Sequence, residues 1–139
     1  HYFKWDPTHT FAVAKKHGFI SAEKAKTGLY EFADIDDAFL ITIHHYLKWY
    51  KFGFTRLWDN LSLEIRNDRM TRKEAVQIIE TAGEENPVKE IELFCEYVGI
   101  SEKTFFEIAN SFRNRRIWGK DTQGIWKIKN FLISNWEWK

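Results

Sequence analysis

Between His44 and Arg72 the chain gathers cations at helical spacing around a single glycine. His44, Lys48 and Lys51 fall at i, i+4 and i+7; beyond Gly53, Arg56, Asp59 and Arg66 follow at i, i+3 and i+10. Such separations stack side chains along one side of a helix. A glycine between two helices lets the backbone turn sharply and lets an anionic group approach the main chain. The stretch is therefore a candidate anion pocket, with Lys48, Lys51, Gly53, Arg56, Asp59, Arg66 and Arg72 as its contacts. A solvated basic face is the plain alternative, because the spacing describes both. Arginine's planar fork suits a diphosphate, and preorganised cations stabilise charge that develops on reacting oxygens. Tyr46, Trp49 and Trp58 offer an apolar platform for a sugar or base, and His44 and His45 are the candidate proton acceptors. Asp36 and Asp37 form a carboxylate pair able to hold a magnesium ion or a sugar hydroxyl, although carboxylates before a helix also simply offset its dipole.

The elements that must position these groups are helical. Leu40, Ile43, Leu47 and Tyr50 form a core-facing stripe on a helix predicted over 35–50, and a second helix follows Gly53. Asp6-Pro7 starts a short helix that His17-Gly18 stops, and residues 19–34 read as irregular. Thr71 and Glu74 form a capping box ahead of the stripe Ala75, Ile78, Ile79 and Ala82. Gly83 ends that helix, Asn86-Pro87 begins the next, and Gly99 ends it in turn. Ser101 caps another, with Phe105, Ile108, Ala109 and Phe112 inside, and Arg113, Arg115 and Arg116 sit at its C-terminus, where cations suit the dipole. Residues 123–138 fit a helix or an extended arm equally well. The expected fold is all-α: one domain over 1–139, a compact non-repeating bundle of about six helices, with a C-terminal arm.

Composition narrows the functional classes. A net charge of +1 and only short basic runs argue against nucleic acid. The longest apolar run falls well short of the roughly 18 residues of a membrane span. A single cysteine, Cys95, excludes an internal disulfide, fits a reducing cytoplasmic compartment, and lies on an apolar helix side as a structural thiol. His1, His9 and His17 lack the companions of a metal site. The chain opens on His1 and has its one methionine at Met70, so it reads as part of a longer protein. No phosphate loop, nucleophile elbow, HExxH or dinucleotide glycine motif occurs.

Lys51-Phe52-Gly53-Phe54-x-Arg56, then Asp59, Ser62, Glu64-Ile65-Arg66 and Thr71-Arg72-Lys73-Glu74-Ala75, resembles the C-terminal part of the bacterial N-acetyl sugar amidotransferases of surface-polysaccharide biosynthesis. The resemblance extends to Tyr2-Phe3-Lys4-Trp5-Asp6-Pro7, Gly18-Phe19, Lys26-Thr27-Gly28-x-Tyr30, Asp36-Asp37, Phe112-Arg113 and Ile117-Trp118. It implies an N-terminal ATP pyrophosphatase domain of α/β type, whose serine- and glycine-rich loop is absent from this sequence, so the 139 residues are expected to be inactive alone. It further implies ATP and Mg2+ in the intact protein, adenylation of a sugar N-acetyl oxygen, and displacement of AMP by ammonia to give an acetamidino group. The implied partners are a nucleotide-linked or free N-acetylated sugar, a glutaminase subunit and a cyclase-like barrel subunit. The alternative is a non-catalytic helical module that docks those two subunits. One departure stands out: after Arg56 the run is Leu57-Trp58-Asp59-Asn60 where small and acidic residues are usual, so Asn60 replaces a carboxylate.

Overall fold

A computed structural model describes residues 4–138. His1, and Tyr2 and Phe3 of the opening motif, lie outside the described residues. Among the described residues six helices run in the order α1 (Pro7–Lys16), α2 (Leu40–Phe52), α3 (Arg56–Arg66), α4 (Arg72–Ala82), α5 (Val88–Val98) and α6 (Glu102–Ser111). Two three-residue strands follow, β1 (Trp118–Lys120) and β2 (Trp126–Ile128), paired antiparallel with Gly119 opposite Lys127. The fold is all-α with one small hairpin in its C-terminal arm.

Local chemistry explains most boundaries. Asp6 caps α1 by accepting from the Thr8 amide at 3.0 Å, with Pro7 in the first turn. The capping box at Thr71 forms as expected, and Ser101 accepts from the Thr104 amide to start α6. Gly53 and Gly99 end α2 and α5 in the left-handed conformation that favours glycine. One boundary differs: α2 begins at Leu40, not at 35, because Asp34 and Asp36 are tied to the preceding segment and Asp37 bonds the first turn of the helix from outside it. Asp34 accepts from the Thr27 amide and hydroxyl, Asp36 pairs with Lys26, and Asp37 receives the Ile41 amide at 3.2 Å.

α2 is the central element. It packs on α5 and α6, while α3 packs on α4. More than one stripe of α2 is buried: Tyr46 and Trp49 join Ile43 and Tyr50, while Leu40, at the helix start, is exposed. Tyr46 stacks on Phe105 of α6, and the C-terminal arm folds back over the face that carries Trp49. Trp118, Phe131, Trp136 and Trp138 all lie within 6.4 Å, ring centre to ring centre, of Trp49. Buried aromatic rings of this kind carry much of a small core's apolar area. Cys95 is buried in the same core, and burial raises its thiol pKa.

Candidate functional site

The site is built on α3. Its pattern buries Asn60 to 1 % exposure, and a buried amide must find partners. Asn60 Oδ1 accepts from the Leu29 amide at 2.9 Å, which pins the irregular 19–34 segment to the helix. Gly28, at φ +70°, makes the close approach: a Cβ there would lie 2.2 Å from Asn60 Oδ1 and 2.9 Å from Arg56 Cγ. Tyr30 then donates its hydroxyl to Glu64. Glu64 also accepts from Arg69 Nε and Nη2, at 2.7 and 2.8 Å, and Arg69 Nη1 reaches Asp6 at 2.8 Å. Segments far apart in the chain, at Trp5–Pro7, Lys26–Tyr30 and Arg56–Arg69, therefore meet.

They enclose a hollow of about 420 Å³ between α1 and α3, walled by Trp5, Phe11, Phe19, Tyr30 and Phe32. Phe11 stacks on Phe32 with centroids 4.2 Å apart, and Phe32 stacks on Tyr30 at 5.0 Å. Arg56 is the one cation in its lining among the described residues, and Arg56 Nε is buried without a hydrogen-bond partner. The first turn of α3 lacks a side-chain cap, because Thr55 bonds to Glu85 instead. The Arg56 guanidinium thus places positive charge beside apolar walls, an arrangement suited to an anion carrying a flat or apolar group.

The charges around the hollow are held in fixed states. Arg69 holds Glu64 and Asp6 below their ordinary carboxylate values, and its own pKa rises in return. Burial, with Glu64 alongside, pushes the Tyr30 phenol up to about 12. His45 is buried, and burial together with Arg56, His44 and Lys48 lowers it to about 4. It is therefore neutral near pH 7 and a weak proton acceptor, which corrects the expectation for that residue. His44 is exposed beside it.

The basic set from the sequence divides. Arg56 faces the hollow; Lys48 forms an ion pair with Asp59 and lies over the Phe54 ring. Lys51 lies over Phe112, 4.7 Å from the ring centre. Arg66 is exposed in the last turn of α3, and Arg72 is exposed at the start of α4. Gly53 offers no open main chain to an anion: it is buried, and a Cβ there would lie 2.7 Å from Ile128 Cδ1. Its role is to let the hairpin pack against the helix junction. Trp49 is a core residue, Trp58 packs on Phe131, and the Tyr46 hydroxyl bonds that of Tyr50, so none of the three stands free as a platform. For Trp49 and Trp58 the arm supplies the physical reason, since it covers faces that the helical pattern leaves open, whereas Tyr46 is covered by Phe105 of α6.

The implied magnesium ion does not fit Asp36 and Asp37. The Lys26 ammonium already lies against the Asp36 carboxylate and the Asp37 carbonyl, and among the described residues no three acidic, histidine or cysteine side chains are grouped to hold a metal. Sequence reasoning missed the structural parts played by Asn60 and Arg69 and the burial of Arg113. A polar residue inside an apolar helix stripe was the available signal for Asn60; nothing local marks the other two.

A comparison with curated proteins finds no match. Residues 9–132 match the family model described as LPS biosynthesis protein WbpG-like, C-terminal domain, which covers every segment of the hollow except Trp5–Pro7. The chain belongs to the WbpG-like C-terminal domain family of lipopolysaccharide biosynthesis proteins.

Proposed function

We propose that this domain is the substrate-binding and closing part of an ATP-dependent amidotransferase that converts a sugar N-acetyl group to an acetamidino group during lipopolysaccharide assembly in the cytoplasm. The observation that carries the reading is the meeting of the Trp5–Pro7, Gly28–Tyr30 and Arg56 segments around one hollow with an unsatisfied Arg56 Nε. Arg56 binds a phosphate or the activated oxygen, and the stacked rings of Phe11, Phe32 and Tyr30 hold the apolar face of the sugar or base. ATP chemistry belongs to a separate pyrophosphatase domain, and no step of it is assigned to these residues. A second reading is a docking module for the ammonia-supplying glutaminase and barrel subunits. The exposed side chains Trp5, Ile20 and Ile35 favour it, since water is a poor neighbour for them.

The test joins this domain to its ATP domain and replaces Arg56 by alanine. Loss of turnover with free ammonia supports the substrate role; loss only with glutamine supports docking. With the 139 residues alone, a UDP-linked N-acetyl sugar is expected to bind, and Arg56→Ala to weaken it by about tenfold or more.

A further inference from the structure

The sequence motif Lys51-Phe52-Gly53 has no part in the walls of the Arg56 hollow, and neither have Phe112, Arg115 and Arg116. These residues meet where the end of α2 touches the hairpin. A Cβ on Gly53 would lie 3.3 Å from Ile117 Cγ2, and the Lys129 amide donates to the Ile117 carbonyl at 3.1 Å. Lys51 Nζ stands 4.7 Å from the centre of the Phe112 ring. The Asn114 carbonyl accepts from the Ile117 and Trp118 amides, each at 2.9 Å, and the turn so fixed holds Arg115 and Arg116 exposed. Among the described residues Lys51, Arg115, Arg116 and Lys129 form no ion pair. Between Arg113 and Lys129 the one carboxylate is Asp121, and Lys127 takes it. The net charge of +1 conceals this local excess, because α5 carries Glu90, Glu92 and Glu96 against Lys89 alone.

Two phenyl rings stand exposed among these cations, Phe52 at 51 % and Phe112 at 42 %. Cations by themselves are well hydrated and call for no partner. Exposed rings differ, since they gain by leaving water, and beside cations they do so best at a surface that is anionic outside and apolar just beneath. A bilayer containing acidic phospholipid has that layering, whereas an acidic protein face offers charge without a layer that rings can enter. We propose that the face formed by the end of α2, the 112–116 segment and Lys129 docks on an anionic lipid surface, with its rings in the headgroup layer and its cations on the phosphates. The contact is peripheral: it needs no membrane-crossing helix, and among the described residues none is long and apolar enough to be one. Each cation brought near such a surface is worth about fivefold in partition. The face is separate from the Arg56 hollow, so the proposal stands whether or not the amidotransferase reading holds.

Co-sedimentation of the 139-residue chain with vesicles of equal parts phosphatidylglycerol and phosphatidylcholine tests it, with pure phosphatidylcholine vesicles and soluble poly-glutamate as counter-probes. Partition onto the acidic vesicles is expected, falling as salt rises, and none onto phosphatidylcholine alone. Replacing Arg115 and Arg116 together by glutamine should weaken it about tenfold or more, and Phe52→Ser about fivefold. Lys89→Gln on α5 should leave it unchanged. Each of these side chains is exposed, so the variants keep the fold, which circular dichroism checks. No partition onto the acidic vesicles, equal partition onto phosphatidylcholine, or indifference to the loss of Arg115 and Arg116 overturns the proposal. Binding of poly-glutamate, with vesicle partition indifferent to Phe52→Ser, assigns the face to an acidic protein and overturns it as well.

Discussion

Two irregular segments are laid against the helices of this molecule, and different forces hold them. The 19–34 segment meets α3 through polar groups, Asn60 to the Leu29 amide and Tyr30 to Glu64, and Arg69 ties the same Glu64 to Asp6 ahead of α1. The C-terminal arm meets α2 through rings, with Trp118, Phe131, Trp136 and Trp138 around Trp49. Directional bonds fix one geometry at modest net stability, whereas ring burial gives large stability with looser directional demand. The polar side is the one that forms the Arg56 hollow, where geometry matters for recognition. The ring side acts as the scaffold.

The comparison can be broken most severely at Trp49. Trp49→Ala is expected to cost about 3–5 kcal/mol, read from denaturant unfolding, because a buried ring is replaced by a cavity. A loss below 1 kcal/mol, on the order of a surface change, would deny the arm its structural role. Asn60→Ala should cost about 1–3 kcal/mol by leaving the Leu29 amide unpaired, and amide exchange should accelerate at Leu29 while the arm stays protected. Acceleration in both segments would show that they are not independent.

Acid sharpens the contrast. His45 has its folded pKa lowered from 6.5 to about 4, so the unfolded chain binds the proton first. Stability is therefore full above about 6.5 and falls as pH drops from there toward about 4. Asp6 and Glu64, also lowered, add their loss only as pH falls through and below the ordinary carboxylate range. Urea midpoints against pH should show the first decline in the unsubstituted chain and not in His45→Gln. The smallest effect belongs to Lys48 and Asp59, a partly exposed pair whose double-mutant cycle should give about 0.2–1 kcal/mol, declining with salt.

Much of the scaffold was legible in the order of residues. Caps at Asp6, Thr71 and Ser101 and stops at Gly53, Gly83 and Gly99 act locally, so their positions follow from neighbours along the chain. The site was legible only in part. Arg56 stood out as a cation at a helix start, but its partners arrive from Gly28 and Trp5, and helical spacing carries no trace of such contacts. Trp49 and Trp58 misled for a related reason: a periodic stripe marks one buried face, and the arm buries another. Arg113 shows the same limit, since a cation at a helix end is ordinarily solvated until distant rings close around it.

The tryptophans divide along the same line, which makes the molecule its own spectroscopic gauge. Trp5 stands 66 % exposed at the rim of the Arg56 hollow, so its emission should be red-shifted and open to collisional quenchers. Trp49, Trp118, Trp136 and Trp138 are crowded together and shielded, so they should emit to the blue and couple as excitons in near-ultraviolet circular dichroism. One sample can thus report rim and scaffold at separate wavelengths without an added dye.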